Sequence, residues 1–321
     1  RGRYIAYVDG DDWIEADMFE NLYQKMAGSK ADIVMCGHFI DTGSITQKAY
    51  HDIEEGYYTK KQLIENVYPE MIIGKDFFDW KIYPSLWGKL FKKESIMEHQ
   101  MAVDARLKMG EDAACVYPAL LNVDSIYVLY KCFYHYRQTT TSMVKDVQDY
   151  EKEKEQFWVL YSSVDRTFEQ YIHIFDLRKQ WLKYVLFLMI PRSDGLYTGY
   201  DRLDFLFPFS GVRKGSSIVL YGAGTYGQRL YRYLKRTGFC QIALWLDRNY
   251  IELQKMGLEV DNPSELETSE CNSIVIANTY NRSRKDLYEE LTGRYSSKSI
   301  YMIDEDLIFS LATRKAFGLI D

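Results

Sequence analysis

RGRYIAYVDGDDWIEADMFENLY, residues 1–23, is the stretch on which the reading of this chain turns. Tyr4-Ile5-Ala6-Tyr7-Val8 is apolar, β-prone and of strand length. It stops at Asp9-Gly10-Asp11-Asp12, where the glycine permits a sharp turn. A helix is predicted from Glu15 to Tyr23, with Ile14, Met18, Phe19 and Leu22 on one face. Carboxylates at the C-terminal edge of a strand converge on a point in front of the sheet. Hard oxygen ligands grouped in this way suit Mg²⁺ or Mn²⁺, with substrate phosphates completing the shell. The plainer account of the same residues is an Asx-rich turn that caps the following helix.

The wider wording, G-x-Y-I-x-x-V-D-G-D-D-W, resembles the D-x-D segment of family 2 glycosyltransferases with the GT-A fold. In that family the segment holds a metal and the diphosphate of a nucleotide-sugar donor. The resemblance implies that Asp9 lies near the donor ribose, that Asp11 with Asp9 ligates Mn²⁺ or Mg²⁺, and that Asp12 is a third member of the donor site. The family also places this segment about midway through its catalytic domain, after strands that bind the nucleobase. Arg1-Gly2-Arg3 runs straight into a strand, so an N-terminally truncated chain lacking much of its donor site is expected.

Three further segments follow in the family's order. Ala31-Asp32-Ile33-Val34-Met35-Cys36 reads as a second strand, residues 37–56 as a loop or hairpin, and Thr59 to Val67 as a short helix with a threonine cap. Ser85-Leu86-Trp87-Gly88-Lys89-Leu90-Phe91-Lys92 resembles the family's W-x-K-L-(Y/F)-(K/R) segment. Trp87 can stack on a sugar face and Lys89 can approach phosphate; equally, Trp87 is core material and Lys89 a solvated charge. Met109-Gly110-Glu111-Asp112 opens an apolar helix, and acids in a first helical turn are favoured by the dipole in any protein. The resemblance makes this G-E-D the catalytic motif of an inverting transfer, with Asp112 as general base and Glu111 as an acceptor contact. On that reading the helix start favours the ionised form of Asp112. Ser125–Leu129 and Cys132–Tyr136 read as a β pair. Their end, Tyr134 to Ser142, resembles the Y-x-Y-R…S element, with Arg137 and His135 facing the donor diphosphate.

Residues 146–210 read as a helical linker region broken at Pro191–Gly195. Beyond it, Ser216–Tyr221 is a buried strand followed at once by Gly222-Ala223-Gly224-Thr225-Tyr226-Gly227, a helix through Lys235, and the strand Ile242–Asp247. This is the context a dinucleotide-binding fingerprint requires, with Asp247 about 20 residues past the last glycine. Gly222, Gly224, Gly227 and Asp247 are therefore candidate cofactor-binding residues, for NAD or a nucleotide-sugar. The same glycines also serve tight strand–helix packing with no ligand at all. Further strands at Ser273–Ala277 and Ser299–Ile303 imply a small parallel sheet.

The expected architecture is α/β throughout. It comprises the C-terminal part of a GT-A-type domain (1–145), a helical bridge (146–210) and a small Rossmann-like domain (211–321). Length supports two domains, since the chain has 321 residues. A net charge of −6 with no long basic run argues against nucleic acid as partner. The five dispersed cysteines contain no C-x-x-C and read as reduced thiols of a cytoplasmic protein, with peripheral placement at the inner membrane face allowed. No apolar run approaches the ~20 residues of a membrane span. The resemblance implies a UDP-sugar or similar donor, a glycan or lipid-linked acceptor, and bacterial surface polysaccharide assembly. The alternative is a dinucleotide- or nucleotide-sugar-binding protein acting through its C-terminal domain.

Overall fold

The computed structural model describes residues 2–74, 80–138, 150–164, 166–192, 207–279, 281–310, 314 and 318. The chain divides into two compact units, Arg1–Ser142 with Glu155–Val185, and Met143–Lys154 with Leu186–Asp321.

The first unit is built on a mixed sheet. Its elements are β1 (Tyr4–Ala6), β2 (Trp13–Ile14), α1 (Met18–Ser29), β3 (Ile33–Thr42), β4 (Ile45–Ala49), β5 (Gly56–Thr59), α2 (Lys60–Gln62), β6 (Lys89–Lys92), α3 (Lys93–Ala102), α4 (Glu111–Asn122) and β7 (Ser125–Arg137). The strand order is β1-β6-β3-β7-β2, with β4 on β3 and β5 on β7. β3 and β7 run parallel at the centre, while β1, β2, β4, β5 and β6 pair antiparallel. Ile33, Val34, Met35 and Cys36 are all buried. That continuous apolar run is what a strand covered on both faces requires.

Helix α1 covers one face through Met18, Leu22 and Met26, spaced four apart and buried. The helix starts later than the sequence suggests. Ile14 belongs to β2, and Phe19 is 41% exposed. Thr59 does cap a helix, in a capping box with Gln62, but only α2 is α-helical before a π-helical turn at Leu63–Val67. Residues 37–56 hold the β3–β4 hairpin. Asp32 clasps the sheet, accepting from Lys92 Nζ at 2.7 Å and from the Asp124 and Ser125 amides at 2.9 and 3.0 Å.

The expected β pair at 125–136 is instead one strand. β7 runs from Ser125 to Arg137 alongside β3; the register shift at Cys36/Gly37 takes up Tyr130 and Lys131 as a bulge, and the one at Gly37/His38 takes up Phe133. A local break in pattern reads as a turn from sequence, whereas pairing with a distant strand carries the chain through it.

Helices α5 (Tyr150–Ser162), α6 (Arg166–Tyr171) and α7 (Leu177–Arg192) follow. Much of the stretch read as a bridge packs into the first unit. Gln180 is buried and fully used: Nε2 donates to Tyr68, Pro69 and Phe175 carbonyls, and Oε1 accepts from Ile72 N at 3.0 Å. The break read at Pro191–Gly195 falls mainly outside the described residues, as does the Thr139–Ser142 end of the Y-x-Y-R…S element. Among the described residues no helix is long and apolar enough to cross a membrane, and all five cysteines are free.

The second unit is a parallel sheet of order β11-β10-β8-β9. It comprises β8 (Ser217–Tyr221), α8 (Thr225–Thr237), β9 (Gln241–Leu246), α9 (Tyr250–Lys255), β10 (Ser273–Ile276), α10 (Asn281–Arg294), β11 (Ser299–Tyr301) and α11 (Glu305–Phe309). Val219, Leu246, Ile274 and Ile276 form its core with Leu287 and Leu291 of α10. This is the small parallel sheet expected from the alternation of strand and helix patterns.

Candidate active site

β1 ends at Ala6, and the chain then turns through Asp9-Gly10-Asp11-Asp12, closed by Asp12 N donating to Asp9 O at 3.2 Å. Asp12 anchors this turn to the end of β7. Its Oδ2 accepts from Tyr134 Oη at 2.8 Å and its Oδ1 from Arg137 N at 2.8 Å. Tyr134 Oη in turn accepts from Asp9 N at 3.1 Å. Asp9 and Asp11 stay exposed. Burial raises the Asp9 carboxyl above its usual range, and Asp12, Asp11 and Glu111 push it further. Asp12 is raised too, chiefly by burial, against the lowering effect of its two donors.

The G-E-D segment forms the start of α4, with Gly110 capping in the left-handed region at φ 78°. From Ala113 to Leu121 the helix is buried all round, so its start is held rigidly. Glu111 is exposed. Asp112 is partly buried, and its Oδ2 accepts from Leu86 N at 3.1 Å; no described residue donates to Oδ1. Its pKa is raised to about 6, by burial first and then by Glu111 and Asp9, against the Leu86 bond and the Lys89 charge. The helix start was expected to favour ionisation of Asp112. Removal from water outweighs it, because desolvation of a carboxylate exceeds the dipole's effect at one helix terminus.

Lys89 does not reach the open face, contrary to the phosphate-facing reading. It is 1% exposed. Its ammonium donates to Ser85 O at 2.6 Å, Tyr83 O at 3.0 Å and Ser85 Oγ at 3.4 Å, which uses all three protons. Burial lowers its pKa to about 7, opposed by Asp112 and Cys36. Lys89 therefore fixes the loop whose Leu86 amide holds Asp112. Lys89→Met is expected to raise the Asp112 carboxyl titration, read by carbon-detected NMR, since a lowering charge is lost. It should also cost roughly 1–3 kcal/mol in urea unfolding, because the carbonyls it served lose their donor. An unmoved or falling titration would show that the two groups are not coupled.

Alternation along β7 sorts the remaining candidates. Tyr134 and Tyr136 point to one face, His135 and Arg137 to the other. Trp87 stacks on the first pair, 4.4 Å from Tyr134 and 5.6 Å from Tyr136 between ring centroids. One face of Trp87 is thus packed against protein. Trp13, paired with His135 across β2 and β7, stacks on it at 4.7 Å and carries the Arg137 guanidinium at 4.9 Å. His135 is further sandwiched by Phe39 at 4.4 Å. Its ring nitrogens face Asp41 Oδ2 at 2.8 Å and Glu15 Oε1 at 3.1 Å. With both nitrogens engaged, His135 is not available to a diphosphate, whereas the exposed Arg137 is.

Sequence reasoning missed Tyr134 as the clamp of the acidic turn and Trp13 as the platform for Arg137. The signal for both is the period-two order Tyr-His-Tyr-Arg, which assigns faces once one tryptophan is placed on each. Among the described residues no group of three or more His, Cys, Asp or Glu side chains is arranged to hold a metal ion. Within the acidic turn, Asp9 and Asp11 are the exposed carboxylates.

In the second unit, β8 leads into Gly222 at φ 114° and α8 begins after Gly224. Asp247, at the end of β9, accepts from Ala223 N at 2.7 Å and Asn249 N at 2.8 Å. It ties the glycine turn to the neighbouring strand. A Cβ on Gly227 would lie 2.1 Å from Gly222 O, whereas one on Gly224 would meet nothing within 4 Å.

Residues 1–80 match the family described as Glycosyl transferase family 2. The N-terminal part of the chain is thus similar to the family 2 glycosyltransferases over those residues, and in the structure a mixed α/β unit is followed by a separate parallel-sheet unit. EpsH of Bacillus subtilis (strain 168), assigned to the glycosyltransferases, is 30% identical over 153 residues, covering 46% of this chain and 41% of EpsH. Glycosyltransferase GlyA of Streptococcus pneumoniae serotype 4 is 30% identical over 141 residues, 42% of this chain and 19% of GlyA. The chain therefore spans less than half the length of these curated relatives. The crystal structure of S. aureus TarS 1-349 in complex with UDP-GlcNAc aligns over 61% of this chain and 60% of that chain, at 15% identity and a TM-score of 0.36. A likeness of that degree carries no argument about ligands.

Proposed function

We propose that this chain moves a sugar from a nucleotide-sugar donor, of the UDP-sugar class, to a hydroxyl of a glycan or lipid-linked acceptor, with inversion at the anomeric carbon. One observation carries the reading. The D-x-D turn and the start of α4 lie within electrostatic reach of one another, since Glu111 raises Asp9 and Asp9 raises Asp112. Inverting transfer needs carboxylates in two roles at one place, one set toward the donor and one toward the acceptor. Asp112 would take the acceptor proton at Oδ1, with a pKa suited to a base near neutral pH. Exposed Glu111 would contact the acceptor. Arg137, supported on Trp13, would face the diphosphate.

The residues fit a divalent cation. Asp9 is crowded by Asp11, Asp12 and Glu111, a repulsion that a cation would relieve, and Mg²⁺ is commonly held by only one or two carboxylates plus substrate phosphates. Asp9 and Asp11 would be the ligands. Asp12, with both oxygens already accepting bonds, would orient the turn. Mn²⁺ or Mg²⁺ bound there would neutralise charge on the leaving diphosphate.

The setting proposed is bacterial surface polysaccharide assembly. Asp11→Asn is expected to weaken Mn²⁺-dependent UDP binding at least tenfold by calorimetry, with an unchanged melting curve because the side chain is exposed. Equal binding by the variant would remove Asp11 from the site. A second reading, that the C-terminal unit takes a nucleotide such as NAD or a nucleotide-sugar, is favoured by the open space over Gly224.

A further inference from the structure

A cavity of about 540 Å³ opens on the first unit beside β5, lined by residues of the 52–58 segment together with Gln62, Asn66, Val67, Lys81 and Tyr130. β5 pairs with Ser125–Val128 at the start of β7, whereas Tyr134 and Arg137, which hold the acidic turn, lie at its end. The cleft is therefore built by a different part of the sheet from the candidate active site. Its volume is that of an ordinary small-ligand site.

Its walls combine two kinds of group. Tyr57 and Tyr130 are large and exposed, at 42% and 47%. Exposure of this kind leaves ring faces on which an apolar C–H surface can pack. Asp52, Glu54 and Glu55 provide carboxylates, and all three raise the Tyr130 hydroxyl after its burial does, so they gather around that phenol. None of these three carboxylates forms an ion pair among the described residues. Lys81, the cation of the lining, is 3.8 Å from Glu70. Carboxylates without cations are strong acceptors awaiting donors. Three acids against one lysine also leave the cleft net negative, which repels phosphate, sulfate and uronate groups.

Exposed aromatic faces beside unpaired acceptors, in a cleft that repels anions, match one ligand chemistry. We infer that this cleft is a second carbohydrate-binding site, taking a saccharide that carries no acidic groups. Tyr57 and Tyr130 supply the faces on which sugar C–H surfaces lie, and Asp52, Glu54 and Glu55 accept from the hydroxyls. The inference does not depend on the transfer reaction. A chain that transferred nothing would still bind saccharide here.

The test is a glycan array of neutral, amino-bearing and uronate- or phosphate-bearing oligosaccharides, with hits titrated by ligand-observed NMR. The unmodified chain should retain neutral or amino-bearing glycans and none of the acidic ones. Tyr57→Ala with Tyr130→Ala should weaken the hits at least tenfold, while Mn²⁺-dependent UDP binding at Asp11 stays unchanged. Asp52→Asn with Glu54→Gln, which changes charge but little volume, should weaken the neutral hits and relieve the exclusion of acidic glycans. This pair keeps the inference testable should the tyrosine variant misfold. Capture of acidic glycans by the unmodified chain, no capture of any neutral or amino-bearing glycan, or neutral hits untouched in both variants would each overturn it. Loss of UDP binding together with glycan binding would point to one shared site, and would overturn the claim of a second.

Discussion

Asp112→Asn is expected to lower kcat for sugar transfer by roughly 10²–10⁴-fold, the usual cost of losing a general base. This corresponds to about 3–5 kcal/mol of transition-state stabilisation. Asparagine keeps the volume of the side chain and can still accept from Leu86 N, which holds Oδ2 at 3.1 Å, so the start of α4 should keep its shape. Donor affinity should stay near that of the unmodified protein, because Asp112 faces the acceptor side in the proposed reaction. Steady-state rates with a fixed acceptor, and UDP affinity by calorimetry, separate the two quantities. Glu111→Gln should act more on acceptor KM, as befits an exposed contact. A reversed pattern would exchange the two roles. If neither change mattered, G-E-D would be only the start of a buried helix.

The pH profile gives an independent reading of the same group. A base works when ionised, and the Asp112 pKa is raised to about 6. Activity should therefore rise as pH increases through about 6 and level off above it. A carboxylate kept at its ordinary value by solvent would put that limb two units lower. The difference arises from burial, which no short motif reveals. Sequence alone suggested the opposite direction for Asp112, because a helix start is visible in a string of residues and the surroundings of its side chain are not.

The same distinction runs through the whole candidate site. The acidic turn, the strand before it and the start of α4 were legible, since each is announced by local chemistry: an apolar run, a glycine, then acids. Where Lys89 points was not legible. A lysine in a W-x-K segment carries equal promise for solvent, phosphate or core until the carbonyls of Tyr83 and Ser85 are seen around it. His135 was misassigned for a related reason. Its partners Asp41 and Glu15 lie 94 and 120 residues away in sequence, and only the parallel pairing of β3 with β7 brings Asp41 beside it. The bulge at Tyr130 and Lys131 hid that pairing by making one strand look like two.

In the glycine turn of the second unit each glycine has its own physical cause. Gly224 is the position where a nucleotide would need close backbone approach, and Gly227 reads as its companion. The structure separates them. Gly227 packs so closely that a Cβ would sit 2.1 Å from Gly222 O and 2.8 Å from Gly222 C. Both contacts are backbone, and Gly222 is itself fixed: its amide donates to Leu246 O at 2.7 Å and its carbonyl accepts from Trp245 Nε1 at 3.1 Å. Neither side can yield cheaply, so Gly227→Ala must push α8 away from the end of β8. The expected cost is about 3 kcal/mol, at the upper end for overpacking. The thermal midpoint of the C-terminal unit should fall on the order of 10 °C. Gly224→Ala, at φ −67° with nothing within 4 Å of its Cβ, should leave the midpoint within about 2 °C, as for an ordinary surface change. Scanning calorimetry of the two variants distinguishes them directly. Equal melting would mean that the helix is not seated against the strand at Gly227, and the packing account of this glycine would fail. A large fall for Gly227→Ala with none for Gly224→Ala leaves Gly224 as the glycine whose methyl tests for a nucleotide without disturbing the fold.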